Sequence, residues 1–375
     1  MTSVTLDAVP ANRLTPGDFI AGCSPEDLIY FVLNVGDGDT QLLLLPAVGG
    51  ERLAIVVDVV AGSKLPKLLE ALSATPLLPQ PSSGRLFALV VATHPHNDHI
   101  GGMAKFITQF GQHIEEVWEP GFFYTSPTYH AMMDAIGSQP VRHGQPSSGM
   151  TRYIGQVKVI VLAPSIGLRN RFDSYGVDVN NSSIALKVEF PGRRVTDRQP
   201  DGTYVKARRQ SIILGGDAQT LSWSQVMNDF PQLGPDRGPV AQALSMAQGF
   251  EPLNVDVFKV PHHASKHGLN LELVEEMSPA LSFVSSVGGG GSYNFPHLVA
   301  VEALREAVET TAKSGAAHKP DYDNGIHYTS ALDTDKKALG SIGLVMSPTG
   351  SKRDLWRFGD RPSGAIDVGA ARRYS

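Results

Sequence analysis

The chain is 375 residues long, 42% apolar and 18% charged, with a formal net charge of −5 and one cysteine. That length supports a substantial core, the charge gives no general attraction to nucleic acid or anionic membrane, and one cysteine excludes an intrachain disulfide. The first residues lack the basic and apolar regions of a signal peptide, and no run approaches the roughly 18 apolar residues of a spanning helix. The expectation is a cytoplasmic protein with no membrane partner.

In chain order, residues 28–35, 41–46 and 52–59 are β-rich runs parted by turns at Gly36-Asp37-Gly38 and Gly49-Gly50. Residues 64–72 carry helical spacing, and 75–84 form a Pro/Ser-rich loop. The apolar run 86–91 predicts a buried strand, with a helix over 103–110 and a further strand over 157–162. The second half repeats this order. Strands are expected at 184–190, 211–214, 255–260 and 281–286, and helices at 219–229, 269–277 and 298–311. Segment 192–210 carries Arg193, Arg194, Arg198, Lys206, Arg208 and Arg209 against Asp197 and Asp201. It reads as either a basic β-ribbon or a solvated hairpin. The run Gly288 to Gly291 either lets a ligand approach the backbone or is simply a loop. Phe123, Tyr124 and Tyr129 read as core or as a substrate wall, and Cys23 as structural.

Thr93-His94-Pro95-His96-Asn97-Asp98-His99-Ile100-Gly101-Gly102 directly follows the strand expected at 86–91. Open α/β sheets place their sites at the carboxyl ends of such strands. His94 and His96, two apart, point to one side in extended backbone. Asp98 and His99 follow, where the glycine pair permits a tight turn. One loop thus offers two nitrogens to one metal and an oxygen plus a nitrogen to a neighbour. That donor set suits zinc, manganese or iron and leaves positions for water. His262, His263 and His267 cluster past another apolar run, so half of the twelve histidines occupy two short segments. Two converging strand ends would explain that. Asp217 closes the apolar run 211–216; a carboxylate there is paired or metal-bound, or else caps the following helix.

A His-x-His-x-Asp-His run after a hydrophobic strand is the signature of the metallo-β-lactamase superfamily, which this chain resembles. Four further motifs, in the family's order, resemble the soluble hydrolase domain of ComEC-type DNA-uptake (competence) proteins. They are Phe31-Val-Leu-Asn34-Val-Gly-Asp37-Gly-Asp39, Asn180-Asn-Ser-Ser183, Ile213-Leu-Gly-Gly-Asp217, and Val257-Phe-Lys-Val-Pro-His262-His263-Ala-Ser265-Lys266. The resemblance implies an α/β fold, a four-layer αββα sandwich forming one domain. Its N-terminal half would run about 25–165 and its C-terminal half about 166–360.

The resemblance further implies two divalent metal ions, Zn2+ or Mn2+, held by His94, His96, Asp98, His99, Asp217 and His262, with Asp217 bridging. Neighbours in extended backbone point oppositely, so His263 is left to contact a phosphate or to support a ligand. Of the candidates for a third histidine on the first metal, neither His113, His130 nor His143 ends an apolar strand. Asn180 or Ser183 takes that place near metal or substrate, with Ser265 and Lys266 as further substrate contacts. Asp98, His263 and His297 are the candidate catalytic groups; His297 is equally placed to start a helix. Asp58 orients a ligand histidine, and Asp37 packs beneath the metals. The implied activity is phosphodiester hydrolysis by a metal-activated water, as a nuclease on DNA. The alternative on the same centre is hydrolysis of a small ester, thioester, lactone or cyclic nucleotide.

Overall fold

The computed structural model describes residues 4–78, 84–170, 178–191, 196–198, 204–206, 210–229, 255–289, 291, 293–309 and 319–374. Seven strands come first: β1 (Leu14–Pro16), β2 (Leu28–Val32), β3 (Gln41–Leu44), β4 (Ala54–Val57), β5 (Phe87–Val91), β6 (Glu116–Trp118) and β7 (Arg142–Gly144). A second set opens with β8 (Thr151–Ile154), β9 (Val157–Ala163) and β10 (Ala185–Phe190). It passes through a ribbon of β11 (Thr196–Arg198) and β12 (Tyr204–Lys206). It continues with β13 (Gln210–Leu214), β14 (Val257–Lys259), β15 (Leu281–Val284) and β16 (Ile326–Tyr328). The chain then returns with β17 (Ile342–Met346), β18 (Arg353–Arg357) and β19 (Arg372–Tyr374).

One sheet has the order β1-β19-β18-β17-β2-β3-β4-β5-β6-β7, and the other β16-β15-β14-β13-β10-β9-β8. Each turns from antiparallel to parallel pairing partway across. In the first, β2, β3 and β4 are antiparallel, and β4 to β7 run parallel. In the second, β9, β10 and β13 are antiparallel, and β13 to β16 run parallel. The parallel blocks matter for function, because their carboxyl ends carry the site.

Strand alternation builds the layers. From β2, Leu28, Tyr30 and Val32 enter a central core with Val159, Val161, Leu186 and Ile212 of the other sheet. Ile29 and Phe31 point the other way, against Leu65, Leu68 and Leu72 of helix Lys64–Ser73 and Phe106 and Ile107 of helix Met103–Phe110. On the far side, Ile213 and Phe258 pack under Trp223, Val274 and Leu304, one from each of three helices. The result is helices, sheet, sheet, helices. Both faces of each sheet are covered, so β5 reads as an unbroken apolar run with every residue buried.

The structure divides the chain differently from the halves expected. Strands β8 and β9 belong to the second sheet, although they fall before residue 165. Strands β17 to β19 rejoin the first sheet, with β17 antiparallel to β2. In segment 192–210, Thr196–Arg198 and Tyr204–Lys206 pair antiparallel as a ribbon; Arg193, Arg194, Asp201, Arg208 and Arg209 lie outside the described residues. Among the described residues no helix is long and apolar enough to cross a membrane.

Candidate metal centre

Beyond β5 the backbone bends at His94 and Pro95, and His96, itself extended (φ −77°, ψ 147°), begins the short helix Asn97–Ile100. His94 is wholly buried, and its Nε2 lies 3.1 Å from His96 Nδ1. The short helix presents Asp98 and His99. Gly101 and Gly102 have ordinary φ values of −55° and −106°, so conformational freedom is not their role. Space is: a Cβ on Gly102 would sit 2.2 Å from the Val60 carbonyl oxygen.

Asp217 arrives from the other sheet, past β13. Its Oδ1 lies 3.1 Å from His99 Nε2, and its Oδ2 lies 3.5 Å from His94 Nε2. One carboxylate therefore faces both halves of the histidine motif. His263, past β14, places Nε2 3.8 Å from Asp98 Oδ2 and 3.9 Å from Asp217 Oδ1. Two donor sets are compact enough to share an ion each: His94, His99 and Asp217, and Asp98, His99 and His263.

The residues fit divalent metal. His99 Nε2, Asp217 Oδ1 and His263 Nε2 are buried without a hydrogen-bond partner. His99 and Asp217 are close, but they are not aligned for a hydrogen bond. Leaving such groups unsatisfied costs about 1–3 kcal/mol each, a cost that coordination removes. Each imidazole is meanwhile fixed through its other nitrogen, the arrangement that aims a lone pair at a metal. His99 Nδ1 is 2.7 Å from Asp58 Oδ2, and Asp58 also accepts from the Thr93 N–H and hydroxyl at 2.7 Å each. His263 Nδ1 is 3.1 Å from the Ser285 carbonyl oxygen.

The electrostatics are those of a buried, tightly coupled cluster. Burial, reinforced by His99, pushes His94 well below its usual pKa. Burial also opposes charge on His99, but Asp217 and Asp58 outweigh it and hold that imidazole well above its usual value. Burial would raise Asp217; His99, His94 and His263 overcome it and hold the carboxylate well below the usual range.

The expected partner of Asp98 and His99 was His262, yet the side chain that joins them is His263. His262, His263 and Ala264 all adopt left-handed backbone, with φ of 51°, 53° and 60°. The opposite pointing of neighbours in extended chain therefore does not apply. His262 lies on the other flank, with Nε2 3.8 Å from Asp217 Oδ2 and Nδ1 3.3 Å from Gln219 Nε2.

Asp37 turns to the glycine loop, where its Oδ1 accepts from the Val287 N–H at 2.9 Å. Asp39 is the carboxylate of this turn that lies behind His263. It binds the hydroxyl of Ser285 and the ammonium of Lys259 at 2.9 Å. None of Asp39, Ser285 and Lys259 was a sequence candidate; a lysine inside an apolar strand was the available signal. His297 reaches the backbone N–H of Lys266 through Nδ1 at 3.0 Å and precedes helix Leu298–Glu309. Ser265 is buried and Lys266 exposed.

Ile184 N–H donates to the Thr93 carbonyl at 2.9 Å, which brings the Asn180–Ser182 turn and Ser183 alongside the histidine motif. Asn180 Oδ1, Ser182 Oγ and Ser183 Oγ are buried and lack partners. Ser182 belongs to the same Asn/Ser segment, for which a serine hydroxyl was expected near metal or substrate. His143 pairs with Glu119 at 3.1 Å, and His113 and His130 are exposed, so none of the three joins the centre.

Residues 48–164 match the model of the Metallo-beta-lactamase superfamily. The chain is 23% identical over 294 residues to "ComE operon protein 3" of Bacillus subtilis, a match covering 76% of this chain and 32% of that protein. The chain thus spans about a third of that relative's length. Among solved structures, the metallo-beta-lactamase fold protein YhfI of Bacillus subtilis is 12% identical, with a TM-score of 0.38, covering 82% of this chain and 98% of that one. CmlA, a diiron beta-hydroxylase from Streptomyces venezuelae, is also 12% identical, with a TM-score of 0.40 and 78% and 52% covered. Residues 48–164 thus match the model of that superfamily, and the paired sheets and the His/Asp donor cluster agree with its fold.

Proposed function

We propose that this chain is a cytoplasmic phosphodiesterase that cleaves DNA with two divalent ions, zinc or manganese. The observation that carries the reading is the pair of adjoining donor sets, which meet at His99, with the two oxygens of Asp217 facing His99 and His94 separately. Such a pair of ions supplies a nucleophile at neutral pH and neutralises charge on a phosphoryl group. Support also comes from the likeness to a ComE operon protein, here over a part of that protein only.

His94, His96 and Asp217 would hold the first ion, and Asp98, His99, His263 and Asp217 the second. With metal bound, Asp58 would hold the His99 proton on Nδ1 and Ser285 that of His263, which would free both Nε2 atoms for the ions. Asn180, Ser182 and Ser183 bring polar atoms that the protein itself leaves unpaired. The two hydroxyls would donate to non-bridging phosphate oxygens, and Lys266 would meet a neighbouring phosphate. The test is incubation with single- and double-stranded DNA plus Mn2+ or Zn2+, against an Asp217→Ala control. Cleavage by the wild type alone is expected. Bound metal without cleavage of any phosphodiester would sink the reading and favour a small ester, thioester or lactone.

A further inference from the structure

We propose that Tyr293 and Phe123, on opposite flanks of the metal centre, stack unpaired bases on either side of the scissile phosphate, making the substrate a single-stranded polynucleotide. This rests on the phosphodiesterase reading above.

Tyr293 and Phe123 are the two most exposed aromatic side chains among the described residues, at 66% and 69%. Leaving a large ring in water forgoes roughly 2 kcal/mol of burial, so a fold that keeps two beside its reactive centre invites a ligand. Tyr293 stacks on Phe295, with centroids 5.6 Å apart and planes 21° apart. Phe295 is buried, and its ring lies 5.5 Å from those of both His262 and His263. A continuous series of rings thus leads from a metal-side histidine to the open face of Tyr293.

Beside His96, the other flank also carries aromatic side chains. The ring of Tyr124 lies 6.2 Å from that of His96. Its chain neighbour Phe123 packs against His130 and Tyr129, with ring centroids 5.6 Å and 6.4 Å away. Its backbone is anchored, because the Tyr129 hydroxyl donates to the Phe122 carbonyl at 3.0 Å. Both aromatics are therefore held in place before any substrate arrives.

Charge agrees with this. The exposed ammonium of Lys266 makes no ion pair among the described residues, and its backbone N–H is tied to His297, whose ring packs 5.2 Å from Phe295. A cation beside an aromatic stack is the pairing that binds single strands, phosphate to the one and base face to the other. A duplex keeps its base faces stacked internally and has none to offer Tyr293.

The test compares metal-loaded wild type with Tyr293→Ala, Tyr293→Phe and Phe123→Ala on three substrates: oligothymidylate, a duplex of equal length, and methyl p-nitrophenyl phosphate. The last offers a phosphodiester with no base to reach either aromatic. Each alanine variant is expected to raise KM for oligothymidylate on the order of tenfold. Tyr293→Phe should keep it, and the small diester should be hydrolysed at the wild-type rate. Anisotropy of labelled oligothymidylate on the Asp217→Ala protein reads binding without cleavage, and should weaken equally when Tyr293→Ala is added. Alanine variants that leave both KM and binding within twofold overturn the proposal. So does a wild type that prefers the duplex. Failure of the phosphodiesterase reading would appear instead as no hydrolysis of the small diester.

Discussion

Lys259 Nζ, from β14 of one sheet, lies 2.9 Å from Oδ2 of Asp39, in the turn between β2 and β3 of the other, with both side chains wholly buried. Asp39 also binds the Ser285 hydroxyl, which lies 3.2 Å from His263 Nδ1. A buried ion pair thus ends on a metal-side histidine. Removing one partner strands the other charge and costs about 3–5 kcal/mol, so Asp39→Ala should unfold at markedly lower denaturant. Replacing both, as Asp39→Leu with Lys259→Met, should recover much of that stability. Metal affinity should stay lowered about 10–100-fold, because the support behind His263 is gone. Denaturant midpoints and metal titration on the same samples check this; full recovery of affinity in the double variant would show the network to be structural only.

The neighbouring histidines make a second contrast. His263 is fully buried and shares space with Asp98, whereas His262 is partly exposed and faces Asp217 from the other flank. His263→Ala should bind one metal equivalent fewer than wild type, and His262→Ala should keep both. Elemental analysis after dialysis decides it. The reverse pattern would return the ligand role to His262.

That the histidines of the motif cluster was legible, because they sit within one loop after one strand; their grouping was not, since the compact set joins His94 to His99 and Asp217 rather than to His96. His263 was not, since three successive non-glycine residues in left-handed backbone run against local preference and persist only through surrounding contacts. Asp37 and Asp39 look alike in a glycine-rich turn; Lys259, arriving from the second sheet, decides which is buried. Topology shows the same limit. The run 342–346 is visibly apolar, but nothing local says that Ile342 pairs with Val32 of β2.

Gly102 offers a test of close packing behind the motif. A Cβ there would meet the Val60 carbonyl oxygen at 2.2 Å and its carbon at 2.8 Å, both backbone atoms that have no rotamer to yield. Gly102→Ala should therefore cost about 1–3 kcal/mol and displace the loop that carries Asp98 and His99. Thermal melts with and without metal would show both a lower Tm and a smaller metal-induced rise. An unchanged melt would mean that the backbone at Val60, beyond β4, gives way freely.

His327 sets an acid limit on the fold. It is buried on β16, its ring 5.2 Å from Tyr374 and 6.2 Å from Phe283. Burial, with Arg357 adding to it, pulls its pKa from 6.5 down to about 3. The unfolded imidazole takes up a proton near its ordinary value while the folded one stays neutral. Between those two values the unfolded state binds more protons, so stability falls as pH drops through that window, by up to about 1.4 kcal/mol per pH unit. Above it the group contributes no slope. His327→Leu removes this term without touching the metal centre. Comparing denaturant unfolding of wild type and variant at pH 7 and pH 5 should show their stability difference shift by about 2 kcal/mol in favour of the variant at the lower pH. Parallel losses in the two proteins would mean that His327 is protonated in the folded state well above pH 5, with a charge partner or water admitted to its site.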